Sequence, residues 1–328
     1  MMMYDVITVG SATIDVFAKT EAELVTIRNA EEVDKLIAYP CGTKILITDL
    51  DYHSGGGGTN TAVAFARLGL KTAFLGKLGN DTNAHLVKTE LEKEGIEFIG
   101  KQGKGQTGFS VVLDSVKNDR TILTFKGENS NLRFSDIDKK ALSARWMYFS
   151  SMIEKSYKTL EKLSAYAVKH NIKVAFNPSS YLAKRGTGFL KKLFKNVHLV
   201  ILNREEAQYL VGHNPKIELL RNLRILGPKI AVITDGESGA YAYDGEIFYT
   251  IMPNRVRVME TTGAGDAFAS GFLTGLILED DLELGLDLGM ANASSVIRHL
   301  GAKNNLLSLE KAKKAMKKNK RIIKKRIK

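Results

Sequence analysis

Apolar residues follow two alternating rhythms along this chain. Short runs, Val6–Gly10, Ala73–Gly76, Trp146–Ser150, Lys173–Asn177, Leu199–Leu202 and Ile230–Thr234, have the length and bounding turns of strands. Between them lie stretches whose apolar positions recur three and four apart. These are Asn60–Gly69, Asn83–Glu94, Ser156–His170, Arg204–Val211, Ile217–Leu226, Thr262–Leu278 and Leu282–Arg298, and they predict helices. Strand and helix in alternation imply an α/β fold, a mostly parallel central sheet with helices on both faces. Ligands then bind at the carboxyl ends of the strands.

Two segments break the alternation. Residues 16–54 contain strand candidates at Leu24–Ile27 and Lys44–Thr48, with a short helix expected over Asn29–Pro40. Residues 105–126 read as strands Gly108–Asp114 and Arg120–Lys126, joined by a turn at Val116-Lys117-Asn118-Asp119. Together they predict a small β-sheet, and a small sheet with one apolar face must cover something. The expected organisation is a core from 1–15, 55–104 and 127–310, a β-sheet lid from 16–54 and 105–126, and a basic C-terminal helix or tail over 311–328.

Charge changes this picture only at the tail. The net charge of +12 invites a nucleic-acid role, but residues 311–328 hold eleven Lys or Arg and no acid. Removing these eleven from +12 leaves +1, so the body is close to neutral. The tail, with Leu309, Ala312, Met316, Ile323 and Ile327 near helical spacing, predicts a basic amphipathic helix lying on the body, with RNA or anionic lipid as a lesser reading. No apolar run reaches the roughly 18 residues of a membrane span. Cys41 is the single cysteine and no secretory pattern opens the chain, so a cytoplasmic location is expected. The histidines form no metal-ligand cluster.

Candidate chemistry lies at two glycine-rich helix starts. In Glu260-Thr261-Thr262-Gly263-Ala264-Gly265-Asp266-Ala267-Phe268 the apolar helix begins directly after the turn, with Phe268, Phe272 and Leu276 on one face. Free N–H groups at a helix N-terminus, approached closely past small residues, make an anion site. Asp266 would stand beside that anion, where a carboxylate is unfavourable unless it takes a proton from an attacking hydroxyl. The second start is Ser54-Gly55-Gly56-Gly57-Gly58-Thr59-Asn60, which runs into a small-residue helix ending at Gly69. A dinucleotide-dependent oxidoreductase would need its glycine fingerprint directly after the first strand, and Val9-Gly10-Ser11-Ala12-Thr13-Ile14 does not supply it.

These two motifs, with Val6–Gly10 leading to Asp15, Gly76-Lys77-Leu78-Gly79-Asn80-Asp81, Asn203-Arg204-Glu205-Glu206 and Thr234-Asp235-Gly236-Glu237-Ser238-Gly239-Ala240 in order between them, resemble the ribokinase or PfkB family of carbohydrate kinases over residues 4 to 305. The resemblance implies a ribokinase-like fold, a lid that often serves as a homodimer contact, and an ATP-dependent kinase acting on a hydroxyl of a sugar or sugar-like substrate. A nucleoside kinase of the same family is the alternative. From a different class, the alternative is a non-catalytic ligand- or RNA-binding protein on a kinase fold. Catalysis is expected from Asp266 as general base with Gly263, Ala264 and Gly265 as anion hole. The substrate is expected at Asp15, Gly56, Gly57 and Asn60, and the nucleotide at Asn203, Thr234, Gly236, Gly239 and Asn292. Mg²⁺ would accompany ATP, held through water by Asn203 and Glu206; these two also have the spacing of a helix N-cap and capping box. Lys77 and Arg120 are expected to be solvated or to pair within the lid rather than to touch substrate. Three departures matter. Gly57 stands where ribokinase has lysine, Ser150-Ser151-Met152 stand where it has a glutamate, and Glu260 replaces a common Asp near a K⁺ site. Ribose is therefore doubtful as substrate, and K⁺ activation stays open.

Overall fold

The computed structural model describes residues 3–20, 23–28, 33–114, 120–253, 256–316 and 322–326. Among them, ten strands form one central sheet. In spatial order they are Ile322–Arg326, Ile247–Ile251, Ala240–Tyr243, Ile230–Thr234, Leu199–Asn203, Lys173–Phe176, Ala144–Phe149, Tyr4–Val9, Thr72–Leu75 and Glu97–Phe98. From Ile230–Thr234 to Glu97–Phe98 the pairing is parallel throughout. The other three strands extend the sheet antiparallel. Successive side chains of the central strands enter opposite cores: Ile7, Val9, Met147 and Phe149 one, Val6, Trp146 and Tyr148 the other. Both faces are covered, which is why these strands read as unbroken apolar runs.

The helix Ala264–Glu279 is buried at every position from Ala267 to Ile277. It packs on Leu282–Val296 and on Gly57–Arg67. The expected one-sided apolar stripe of Phe268, Phe272 and Leu276 is thus a helix apolar nearly all round, as a fully enclosed helix requires.

A small four-stranded second sheet is present, in the order Arg120–Phe125, Gly108–Asp114, Thr13–Thr20, Ile47–Gly55, but the strand expected in it at Leu24–Ile27 belongs to a separate hairpin and Thr13–Thr20 takes its place. Thr13–Thr20 pairs parallel with Gly108–Asp114 and antiparallel with Ile47–Gly55. Residues 13–15, Asp15 included, therefore lie in the lid sheet rather than the core. The outer strand starts at Ile47, not Lys44. The helix expected over Asn29–Pro40 is corrected: Val33–Ala38 is a strand paired antiparallel with Glu23–Arg28. The helical spacing of Val33, Leu36 and Ile37 yields to hairpin pairing, a tertiary override of local pattern. Residues 29–32 and the turn expected at 116–119 lie outside the described residues.

The tail also needs correction. Leu309–Met316 is helical, with Ala312 buried against Leu68 and Leu288. Ile322–Arg326 is instead a strand, paired with Ile247–Ile251, and Ile322 packs on one of the cores. The β-branched Ile322 and Ile323 suit an edge that would otherwise leave Ile247–Ile251 unpaired. The rest of the expected tail helix, residues 317–321 and 327–328, lies outside the described residues. Among the described residues no helix is long and apolar enough to cross a membrane.

Candidate active site

The carboxyl ends of Tyr4–Val9, Ala144–Phe149, Lys173–Phe176, Leu199–Asn203 and Ile230–Thr234 converge, and both glycine-rich helix starts face them. Gly263 caps the helix Ala264–Glu279 with φ of 79°. That left-handed conformation favours glycine, and a Cβ there would lie 2.6 Å from Ala302 Cα. Ala264 and Gly265 follow in the first turn, where Ala264 N donates to Thr261 O at 3.2 Å. Gly56, with φ of 93°, caps Gly57–Arg67 in the same way.

Asp266 is brought against the second helix start. Asn60 Nδ2 donates to Asp266 Oδ2 at 2.9 Å across 206 residues of chain. A Cβ built on Gly57 would lie 3.7 Å from Asp266 Oδ1. Asp266 keeps part of its surface exposed, but protein surrounds its carboxyl closely. Burial pushes its carboxyl up to about 6, against the opposing pull of the Asn60 hydrogen bond and the Lys303 charge. Asp15 stands opposite His53 in the lid sheet, and its carboxyl is also raised by burial, with Ser110 and Thr13 hydrogen bonds opposing. Asn60 is buried, and its Oδ1 has no partner among the described residues. So Asp15, Gly56, Gly57, Asn60 and Asp266 form one continuous patch.

A cleft of about 1320 Å³ opens on the other side of the anion turn. Thr234, Gly236, Gly239, Ala264 and Gly265 line it, so the expected nucleotide loop and the anion turn share one cavity. Its apolar wall comes from Met252, Val258, Phe268, Met290, Ala293 and Ile297, which suits a flat ring system. Asn292 is corrected. It is fully buried, Nδ2 donates to Ala267 O at 3.1 Å and Oδ1 accepts from Leu307 N at 3.0 Å, so it clamps the two helices and does not line the cleft.

Asn203 and Glu206 form a capping box: Asn203 Oδ1 accepts from Glu206 N at 2.8 Å, and Glu206 Oε2 from Asn203 N at 3.0 Å. Neither lines the cleft. Glu206 is buried, and its carboxyl is raised by that burial, with a smaller contribution from Asp266. No group of three or more His, Cys, Asp or Glu among the described residues could hold a metal directly. One carboxylate suits an ion that keeps most of its water, as Mg²⁺ does.

Several functional neighbours gave no local signal. Lys303 is buried, pairs with Glu90, and donates to Ser54 Oγ at 2.7 Å, tying the lid strand to the core. Burial lowers its ammonium pKa, with Glu90 and Asp15 opposing. Asn129 holds both main-chain groups of Ala12, at 3.0 and 2.8 Å. Lys77, expected to be solvated or lid-pairing, bonds Asp136 at 3.0 Å and Asn131 O at 3.1 Å, locking a loop. The side chain of Arg120 lies outside the described residues.

Known proteins are similar to this chain in sequence and in fold. An uncharacterized sugar kinase of Archaeoglobus fulgidus is 30% identical over 249 residues, covering 74% of this chain and 98% of that protein. An ATP-dependent 6-phosphofructokinase of Thermoanaerobacterium thermosaccharolyticum is 25% identical, with 91% of this chain and 89% of that protein covered. In fold, the chain is similar to the crystal structure of a ribokinase from Thermotoga maritima, with a TM-score of 0.81 at 22% identity, covering 96% of this chain and 100% of the other. The profile of the pfkB family carbohydrate kinases matches residues 3–309, and the chain belongs to that family.

Proposed function

We propose that Asp266 is the general base of a kinase that moves the ATP γ-phosphoryl group to a hydroxyl of a sugar or sugar-like acceptor. One observation carries the assignment. Asp266 sits between the large cleft, through Ala264 and Gly265, and the Asn60–Gly57 patch, through its own carboxylate. A carboxyl pushed up to about 6 is a competent base near neutral pH. It takes the acceptor hydroxyl proton as the new O–P bond forms, and the bond from γ-phosphorus to the β-phosphate oxygen breaks to leave ADP. The N–H groups of Gly265 and Asp266 face the charge on the transferring group, and that of Ala264 joins them only on leaving Thr261 O. Asp15 and Asn60 bind further acceptor hydroxyls. Kinases of this family use ATP with Mg²⁺; Asn203 and Glu206 would hold its waters, and the ion neutralises phosphate charge when bound.

Likeness to a 6-phosphofructokinase supports including phosphorylated sugars, beside free sugars, sugar acids and nucleosides, among the acceptors to be tried. Exposed Leu46, Tyr52 and Leu123 on or beside the lid sheet support a homodimer through that face. The single, exposed Cys41 supports a reducing, cytoplasmic setting. Acceptor-dependent ADP release across such a panel, in K⁺ and in Na⁺, tests the assignment and the open question of K⁺. Asp266→Asn should lower kcat by roughly a thousandfold or more with ATP affinity retained. A variant keeping a tenth of the rate removes the base. No turnover with any acceptor favours a non-catalytic binding protein on this fold.

A further inference from the structure

The C-terminal strand Ile322–Arg326 ends the central sheet beyond Ile247–Ile251, and it lies past the residues 3–309 that the family profile matches. The fold common to the family therefore does not explain it. Its register brings one end beside the large cleft. Ile322 pairs with Ile251, the residue before Met252, and Met252 lines that cleft. The same end of Ile247–Ile251 rests on the loop 236–239. A Cβ on Gly239 would lie 2.0 Å from Ile251 O and 3.2 Å from Met252 Cα. Backbone meets backbone there, so a shift of Ile251 is passed to the loop.

The strand touches the opposite wall as well. Residues 322, 324 and 326 share one face, because side chains alternate along a strand. On that face Ile322 packs on the core that holds Ile251, Phe268, Leu286 and Met290. Phe268 and Met290 are also walls of the cleft. Lys324 pairs with Glu283 in the first turn of Leu282–Val296, the helix that carries Met290 and Ala293 into the cleft. The start of that helix is crowded with acids. Asp281 caps it, and the Asp287 carboxyl is pushed up to about 6, first by burial and then by the Glu283 and Asp281 charges. A lysine docked against Glu283 relieves that repulsion. Arg326, at the far end of the strand, meets Glu246 at 3.5 Å, away from the cleft.

We propose that the C-terminal strand clamps the two walls of the large cleft together and so sets its affinity for nucleotide, with Ile322 and Lys324 as positioning residues. The word nucleotide rests on the kinase assignment; the clamp itself does not. Without this strand, Ile247–Ile251 would be an edge with a single neighbour, and such edges fray. Met252 and the loop 236–239 would lose the fixed backbone behind them. Nucleotide would then bind only the fraction of molecules whose walls are assembled, and its apparent Kd would rise by the inverse of that fraction. The acceptor patch lies on the other side of the glycine turn, so the effect falls on the nucleotide.

Calorimetry on the full chain with a non-hydrolysable ATP analogue and Mg²⁺ tests this. Ile322→Asp should raise the Kd of the analogue about tenfold, and Ile322→Val should leave it unchanged. Lys324→Glu changes an exposed side chain and so spares folding; it should raise Kd about threefold, while Lys324→Arg should not. Arg326→Glu makes the same change of charge at the far end and should leave Kd unchanged. In Ile322→Asp the amides of 247–251 should exchange hydrogen faster, while those of 144–149 keep wild-type rates. An unchanged Kd in folded Ile322→Asp and Lys324→Glu proteins overturns the proposal, even with a lowered Tm, since the strand would then serve stability alone. An equal rise in Arg326→Glu also overturns it, as a general effect of charge. The wild type tells the two assignments apart. No binding of the analogue there removes the nucleotide site and the proposal with it, whereas binding that the variants do not alter removes the clamp alone.

Discussion

Asp266 sits where two effects oppose each other. A helix N-terminus and the Asn60 hydrogen bond favour the carboxylate, yet burial outweighs both and raises its pKa from 3.8 to about 6. The folded state therefore binds a proton between pH 3.8 and about 6 that the unfolded state has already lost. Stability from this group is greatest below that window and falls as pH rises through it, by about 3 kcal/mol at most. Asp266→Asn is expected to be more stable than wild type at pH 8 and about equally stable at pH 4, by denaturant titration at each pH. For a base, kcat/KM should fall below about pH 6. Lys303 pulls that pKa down, so Lys303→Met should move the acid limb to higher pH. An unmoved limb would show that the buried ammonium serves only the lid strand through Ser54.

The helix that carries Asp266 is positioned by glycine contacts. A Cβ on Gly271 would lie 2.6 Å from Gly289 N, and one on Gly289 would lie 2.8 Å from Phe268 O. Both neighbours are backbone, which cannot swing aside, so Gly271→Ala must push Ala264–Glu279 and Leu282–Val296 apart. A loss of about 2–3 kcal/mol is expected, with a lowered kcat as the anion turn shifts. An unchanged denaturation midpoint would show that the pair slides without cost. Sequence alone revealed this helix, the parallel strands and the glycine turn that opens the helix, because apolar period and glycine placement are local signals. It missed Ala240–Tyr243, Ile247–Ile251 and Ile322–Arg326, whose strand character comes from pairing at an edge. In Ile322–Arg326, lysine and arginine at the last three positions conceal it further. Lys303 and Asn129 escaped for the same reason: their partners lie far away in sequence, on Glu90, Ser54 and Ala12. Asn292 carried the right residue type for a base contact, but its amide is consumed between two helices.

At the scale of the molecule, the anion turn is effective only where water is excluded, since charge interactions weaken in high dielectric. We propose that the small sheet acts as the lid that excludes it. Its central strand, Thr13–Thr20, carries Asp15 toward the acceptor patch, and its outer strand is clamped at one end by Ser54 to Lys303 and Glu90. The rest of that strand is open, with Ile47 and Leu50 at 47% and 43% exposure. Anchored at its base and free at its tip, the sheet can fold down only by bending between the two. On the proposed assignment an acceptor contacts Asp15 and so can draw the lid closed, whereas ATP in the cleft on the far side of the glycine turn makes no such contact. Hydrogen exchange should therefore show protection of 47–52 and 108–113 when acceptor binds, and little change with ATP alone. Closure should also suppress transfer of the phosphoryl group to water while acceptor is bound. Equal protection with ATP alone, or full protection before any substrate is added, would mean that the sheet is a fixed wall and that water is excluded by other means.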